Sequence, residues 1–110
     1  MSKDNRYYLS KTLEEIEVII DYSKNLTIVQ LQQQSITLDA IVFRMVQMSE
    51  YMDKITDEYK VLHPEIEWID IKGFRNRLVH DYGGVDLHFV YAAIKEDVPK
   101  LREQISKLLA

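Results

Sequence analysis

The residues of this sequence best able to do chemistry are concentrated in Arg75-Asn76-Arg77-Leu78-Val79-His80-Asp81-Tyr82. A histidine can take or give a proton near neutral pH. An arginine can hold two phosphate oxygens through parallel hydrogen bonds. Metal-free RNA cleavage needs a base for the 2′-hydroxyl proton, an acid for the leaving oxygen and a cation for the charge of the phosphorane-like transition state. Asn76 can orient the histidine or the phosphate, and Asp81 can tune the basic groups beside it. From Lys72 to His80 the formally charged residues are Lys72, Arg75 and Arg77, a basic island able to hold a phosphate. The same residues also fit a helix-end cluster without catalysis, and their types alone leave both readings open.

These groups must be positioned by the helix that carries them. A helix is predicted over about 68–81, ended by Gly83-Gly84, because glycine tolerates the left-handed cap. On it, Asn76 and His80 are four residues apart and share a face. Arg75 lies five residues before His80, roughly 140° round an ideal helix. Arg75 and His80 therefore converge through the reach of the arginine, through a bend at the helix end, or by pairing with a second copy across a two-fold axis.

The surrounding elements are also predicted to be helical. A first helix runs from about Asp4 to Ser23, with Leu9, Leu13, Ile16 and Ile20 on one face and Glu14, Glu15 and Glu17 largely on the other. Lys24-Asn25-Leu26-Thr27 reads as a turn, with Thr27 capping a short helical stretch. The longest helix is expected over about Ser35 to Leu62. Its stripe is Leu38, Ile41, Met45, Met48, Met52, Ile55, Tyr59 and Leu62, widened by Ile36, Ala40 and Phe43. Such a helix fills the bundle centre or also supplies a dimer face. Pro64 stops it at His63. Asp86 can cap a fourth helix to about Glu96. Pro99 is expected to break that helix, with Asp97 capping a last one that ends near Leu109 and turns Leu101, Ile105 and Leu108 inward. His63 is expected to be a solvated loop residue, and His88 a half-buried packing residue.

Composition narrows the classes. At 110 residues the chain suits one domain, and with 46% hydrophobic and 29% charged residues it is not a disordered one. Three Gly and two Pro are too few for the turns of an all-β chain. Without Cys there are no disulfides, and a reducing compartment is the natural reading. No apolar run approaches the ~20 residues of a membrane span, and Met1 to Arg6 lack the apolar core of a signal peptide. A cytoplasmic location is expected. A net charge of −4 opposes non-specific nucleic-acid binding by the whole surface. No Gly-rich phosphate loop or His-Glu-x-x-His metal motif occurs, and the three His show no ligand spacing. No metal or cofactor is expected.

The segment resembles the Arg-x4-His-x-Tyr motif of the HepT-like branch of the HEPN superfamily. Asp39-Ala40, Met48-Ser49-Glu50, Pro64-Glu65-Ile66, Trp68, Ile71, Gly73, Gly84-Val85-Asp86 and Glu96-Asp97-Val98-Pro99 follow in the family's order. The resemblance covers essentially the whole of 1–110. It implies an all-α, up-and-down bundle of four to five helices that forms a homodimer and sets two such motifs in a shared cleft. It further implies a metal-independent endoribonuclease acting as the toxin of a toxin–antitoxin module. The implied partners are an RNA substrate and a minimal nucleotidyltransferase (MNT) antitoxin that transfers AMP to the motif tyrosine. On this resemblance Arg75 and His80 are catalytic, Asn76 assists and Tyr82 is the modified residue; from the charge pattern Lys72 and Arg77 are expected to bind RNA, with Glu50 as a supporting residue. An AMP group two residues from His80 would repel and occlude an RNA phosphate. Two departures, Met48-Ser49-Glu50 for the usual Ile-Gly-Glu and Glu67 rather than Pro before Trp68, leave the motif untouched.

Some alternatives stay open. Glu50 could hold Arg75 or Arg77 across the bundle, or be solvated, and Arg44 and Asp39 share that ambiguity. The whole chain could be a non-catalytic module that docks a nucleotidyltransferase and binds nucleotide or RNA, a reading the acidic net charge favours. It could also serve only as the substrate of Tyr82 modification.

Overall fold

The computed structural model describes residues 4–68, 71–78 and 84–110, and of residues 71, 72 and 75 the backbone alone. The fold is all-α. In chain order the helices are α1 (Asn5–Ser23), α2 (Ile28–Gln33), α3 (Ser35–Asp53), α4 (Asp57–Leu62), α5 (Ile71–Leu78), α6 (Leu87–Ala92) and α7 (Val98–Leu109), with a π-helical turn, Ala93–Asp97, joining α6 to α7. No described helix is long and apolar enough to cross a membrane.

Side-chain caps set most of the helix starts. Asp4 accepts the Tyr7 N–H at 2.9 Å and opens α1. Thr27 and Gln30 form a reciprocal capping box at α2. Between them Asn25 takes a left-handed φ of 61°, which its short amide side chain tolerates in a tight turn. Asp86 accepts the Phe89 N–H at 3.1 Å and opens α6.

The core lies between α1, α3 and α7. α1 packs most extensively on α3 and next on α7. Leu9, Ile16 and Ile19 of α1 meet Ile41, Met45, Met48 and Met52 of α3 and Leu101 and Ile105 of α7, all buried. Glu15, assigned to the outer side of α1 by pattern, is instead only 8% exposed. Both of its carboxylate oxygens accept from the Arg44 guanidinium, at 3.4 and 3.3 Å. That pairing resolves the ambiguity of Arg44 and lets a carboxylate face the helix interface. Asp39 is exposed.

Three expected boundaries differ. The predicted helix from Ser35 to Leu62 is interrupted after Asp53. Lys54 ends α3, and Thr56 turns extended with ψ 150° before capping α4. Asn5 holds this break: its Oδ1 accepts the Thr56 N–H at 3.0 Å and its Nδ2 donates to Thr56 Oγ1 at 3.1 Å. The apolar spacing survives the interruption, so Ile55 remains buried while Leu62, Ile36 and Phe43 are exposed. The second difference is at Pro99, which does not break the chain's path. Asp97 has helical φ and ψ and makes no capping hydrogen bond, so it is not a cap. The π-turn absorbs the proline instead. The Val98 N–H reaches back five residues to the Ala93 carbonyl, a wider winding that relieves the crowding proline imposes on the preceding turn. Third, Trp68 precedes the helix rather than beginning it, and the predicted end at 79–81 with Gly83 lies outside the described residues.

The two histidines flanking the motif also differ from expectation. His63 is half-buried against Tyr59, with ring centroids 4.3 Å apart, and its Nδ1 lies 3.3 Å from Glu65 Oε1. His88 points outward and is exposed.

Thr56→Ala removes a cap and one partner of Asn5. It is expected to lower the unfolding free energy by about 1–2 kcal/mol in urea denaturation. Asn5→Ala should have a smaller effect, and the double variant should fall short of the sum because the two share one interaction. A strictly additive pair would show that the break is held by something else.

Candidate functional site

Helix α5 carries Arg75, Asn76 and Arg77, and its placement defines the site. It packs against α3 and α6. Leu78 is fully buried and anchors its C-terminal end, while Asn76 and Arg77 face solvent. Glu50 is half-buried on α3 and is not a freely solvated charge. His80 and Tyr82 lie outside the described residues, as do the side chains of Lys72 and Arg75.

Asp86 organises the described part. Its N–H donates to the Leu78 carbonyl at 2.9 Å, which satisfies a C-terminal acceptor of α5. Its carboxylate caps α6 and also lies 3.9 Å from Arg77 Nη2. Arg77 is further placed by Phe89, whose ring centroid is 4.9 Å from the guanidinium carbon. The side chain of Arg77 nevertheless remains 67% exposed, so its remaining donors can reach a phosphate. Sequence reasoning saw Asp86 only as a cap. Its link to Arg77 joins residues nine apart across the loop, beyond any helical spacing rule.

Beside Arg77 a cavity of about 510 Å³ opens between α3, α5, the π-turn and α7. Its apolar wall includes Met48, Trp68, Phe74, Phe89, Ala93 and Leu101. Phe74 and Phe89 meet edge to face at 5.6 Å. The indole Nε1 of Trp68 donates to the carbonyls of Lys60 and His63, at 3.1 and 3.0 Å, which fixes the ring at the end of α4. Glu67, Arg77, Asp97, Lys100 and Gln104 stand at the polar part of the lining. This cavity escaped the sequence reading because its wall comes from many separate stretches. The sole tryptophan, three residues before α5, was its one visible signal. Among the described residues no three His, Asp or Glu are grouped as metal ligands.

Partial burial pushes the Asp97 carboxyl above its ordinary value, and the charges of Glu96 and then Glu67 push the same way, with Lys100 opposing them. A folded-state value above the unfolded one means that the ionised group costs stability, and that the cost is relieved as pH falls through the raised value. Asp97→Asn is therefore expected to raise the melting temperature by no more than a few degrees at pH 7, since solvent screens much of the effect. The gain should vanish below the ordinary value of 3.8. Thermal melts of both proteins across that range test it, and a gain that persists at low pH would point to packing rather than charge.

A family model described as Ribonuclease HepT-like matches residues 12–108. The chain is 30% identical over 108 residues to probable ribonuclease HepT of Thermococcus cleftensis, covering 98% of each chain. It is 32% identical over 109 residues to a Methanocaldococcus jannaschii protein named gamma-glutamylcyclotransferase and putative RNase MJ0434. That alignment takes in 99% of this chain, which spans about half (49%) of that relative's length. Putative RNase TTE0752 of Caldanaerobacter subterraneus is 26% identical over 107 residues, 97% of this chain and 96% of the relative. No solved structure matches the chain. With a family match running from α1 to α7 over an all-α fold, the chain belongs to the HepT-like ribonuclease family of the HEPN superfamily.

Proposed function

We propose that this chain is a metal-independent endoribonuclease, the toxin of a toxin–antitoxin module, with Arg75 and His80 as its catalytic residues. The family match that encloses Arg75 to Tyr82 carries this reading. His80 takes the 2′-hydroxyl proton. The 2′-oxygen then bonds to phosphorus, and the bond from phosphorus to the 5′-oxygen breaks. A second His80, from the other copy in a homodimer, protonates that leaving oxygen. The products are a 2′,3′-cyclic phosphate and a 5′-hydroxyl. Arg75 holds the charge on the phosphorane-like transition state, and Asn76 and Glu50 support the pair. Lys72 and Arg77 bind the RNA backbone, a role that the solvent-facing, Asp86-anchored guanidinium of Arg77 suits. The domain spans 1–110. The partner is an MNT nucleotidyltransferase that joins AMP to the Tyr82 phenol oxygen and releases pyrophosphate from ATP, closing the cleft to RNA.

Purified protein is expected to cleave RNA in EDTA and leave 2′,3′-cyclic phosphate ends. His80→Ala should lower the rate by about 10²–10⁴-fold and Arg75→Ala by about 10²–10³-fold. Cleavage that survives both changes would remove the assignment. Incubation with the partner and ATP should add AMP to the wild type but not to Tyr82→Phe, and should silence only the wild type. AMP mapping elsewhere would overturn the regulatory part alone.

A further inference from the structure

We infer that the cavity beside α5 is a base-binding subsite that takes an unpaired purine, guanine in preference, from the RNA strand. The proposal rests on the ribonuclease reading for its substrate but stands on a cavity that, among the described residues, shares only Arg77 with the proposed site.

Four observations converge on it. The volume of about 510 Å³ lies within the range of small-molecule sites. The wall offers the aromatic faces and edges of Trp68, Phe74 and Phe89, the surfaces on which unstacked RNA bases are held. The rim is of mixed charge: Glu67 and Asp97 can only accept hydrogen bonds when ionised, whereas Lys100 and Arg77 can only donate. Guanine matches this, because its N1–H and N2–H₂ donors adjoin its O6 and N7 acceptors, while uracil has a single ring donor between two carbonyls. Finally, the π-turn brings both Ala93 and Asp97 to the cavity. Such turns are frequent at functional sites, and this one keeps a carboxylate where its ionised form is disfavoured.

The location suits a strand passing the motif. Arg77 belongs both to the cavity lining and to the exposed surface of α5, three residues before His80. A base seated against Phe74 and Phe89 would leave its phosphate near the guanidinium. The subsite would then select among the bases of a strand whose phosphate Arg77 holds.

Calorimetric titration of the full chain with 3′-GMP, 3′-AMP and 3′-UMP tests this, with Trp68, the only tryptophan, reporting occupancy through its fluorescence. Saturable binding of 3′-GMP with a change in Trp68 emission, weaker for 3′-UMP, is expected. Asp97→Asn should weaken 3′-GMP by about tenfold or more, the effect of losing one charged hydrogen bond, while leaving 3′-UMP little changed. Its folding is checked by the melts described above. Phe89→Leu, which removes the ring but keeps an apolar side chain, should weaken all three. No saturable binding of 3′-GMP at millimolar concentration, or equal binding of all three that ignores Asp97→Asn, would overturn the subsite. The cleavage assay separates the two ideas: cleavage without nucleotide binding sinks the subsite and leaves the ribonuclease, whereas binding without cleavage does the reverse.

Discussion

Among the described residues around Arg77, one residue, Asp86, makes contacts in three directions. The Asp86 backbone closes the end of α5, its carboxylate begins α6, and the same carboxylate lies beside Arg77. The end of α5 and the start of α6 are therefore held together. Because these contacts form on folding, Arg77 is placed between α5 and α6 before any ligand arrives. Leu78 adds the hydrophobic half of the anchor, being fully buried one residue beyond Arg77. Polar closure and apolar burial thus act on neighbouring positions.

The same neighbourhood shows how the fold balances packing against access. α3 contributes three methionines to the core at positions 45, 48 and 52, flexible side chains that fill irregular space. Met48 reaches the cavity from the core side, and Arg77 and Asp97 border it from the surface. Between them stand aromatic rings fixed by their own contacts: Trp68 by two carbonyls, and Phe89 by Phe74 and the Arg77 guanidinium. An opening with anchored walls resists collapse, since its rings are not free to turn inward.

What could be read from the chain was what is local. Thr27 and Asp86 signalled helix starts because a cap lies within three residues of the amide it serves. The core stripes were legible from periodicity, and the motif from the types and order of its residues. Interactions between distant positions were not. Thr56 breaks a helix whose apolar spacing never falters, because its partner Asn5 is 51 residues away. Glu15 goes inward because Arg44, 29 residues on, meets it there. Pro99 was overvalued as a breaker because a π-turn is a wider winding that residue preferences do not announce. The cavity, built from several elements, belongs to the same class.

Near the other end of the bundle, the Arg6 guanidinium donates to the Leu109 carbonyl at 2.7 Å. Residues 103 positions apart are thereby neighbours, and the described chain closes on itself in space. Such a layout is nearly circular: a short peptide could join the two regions, and the chain could be opened at an exposed turn with little change to the packing. A second domain fused at either end would leave from the same spot, which gives the bundle one point of attachment whichever order the two are encoded in.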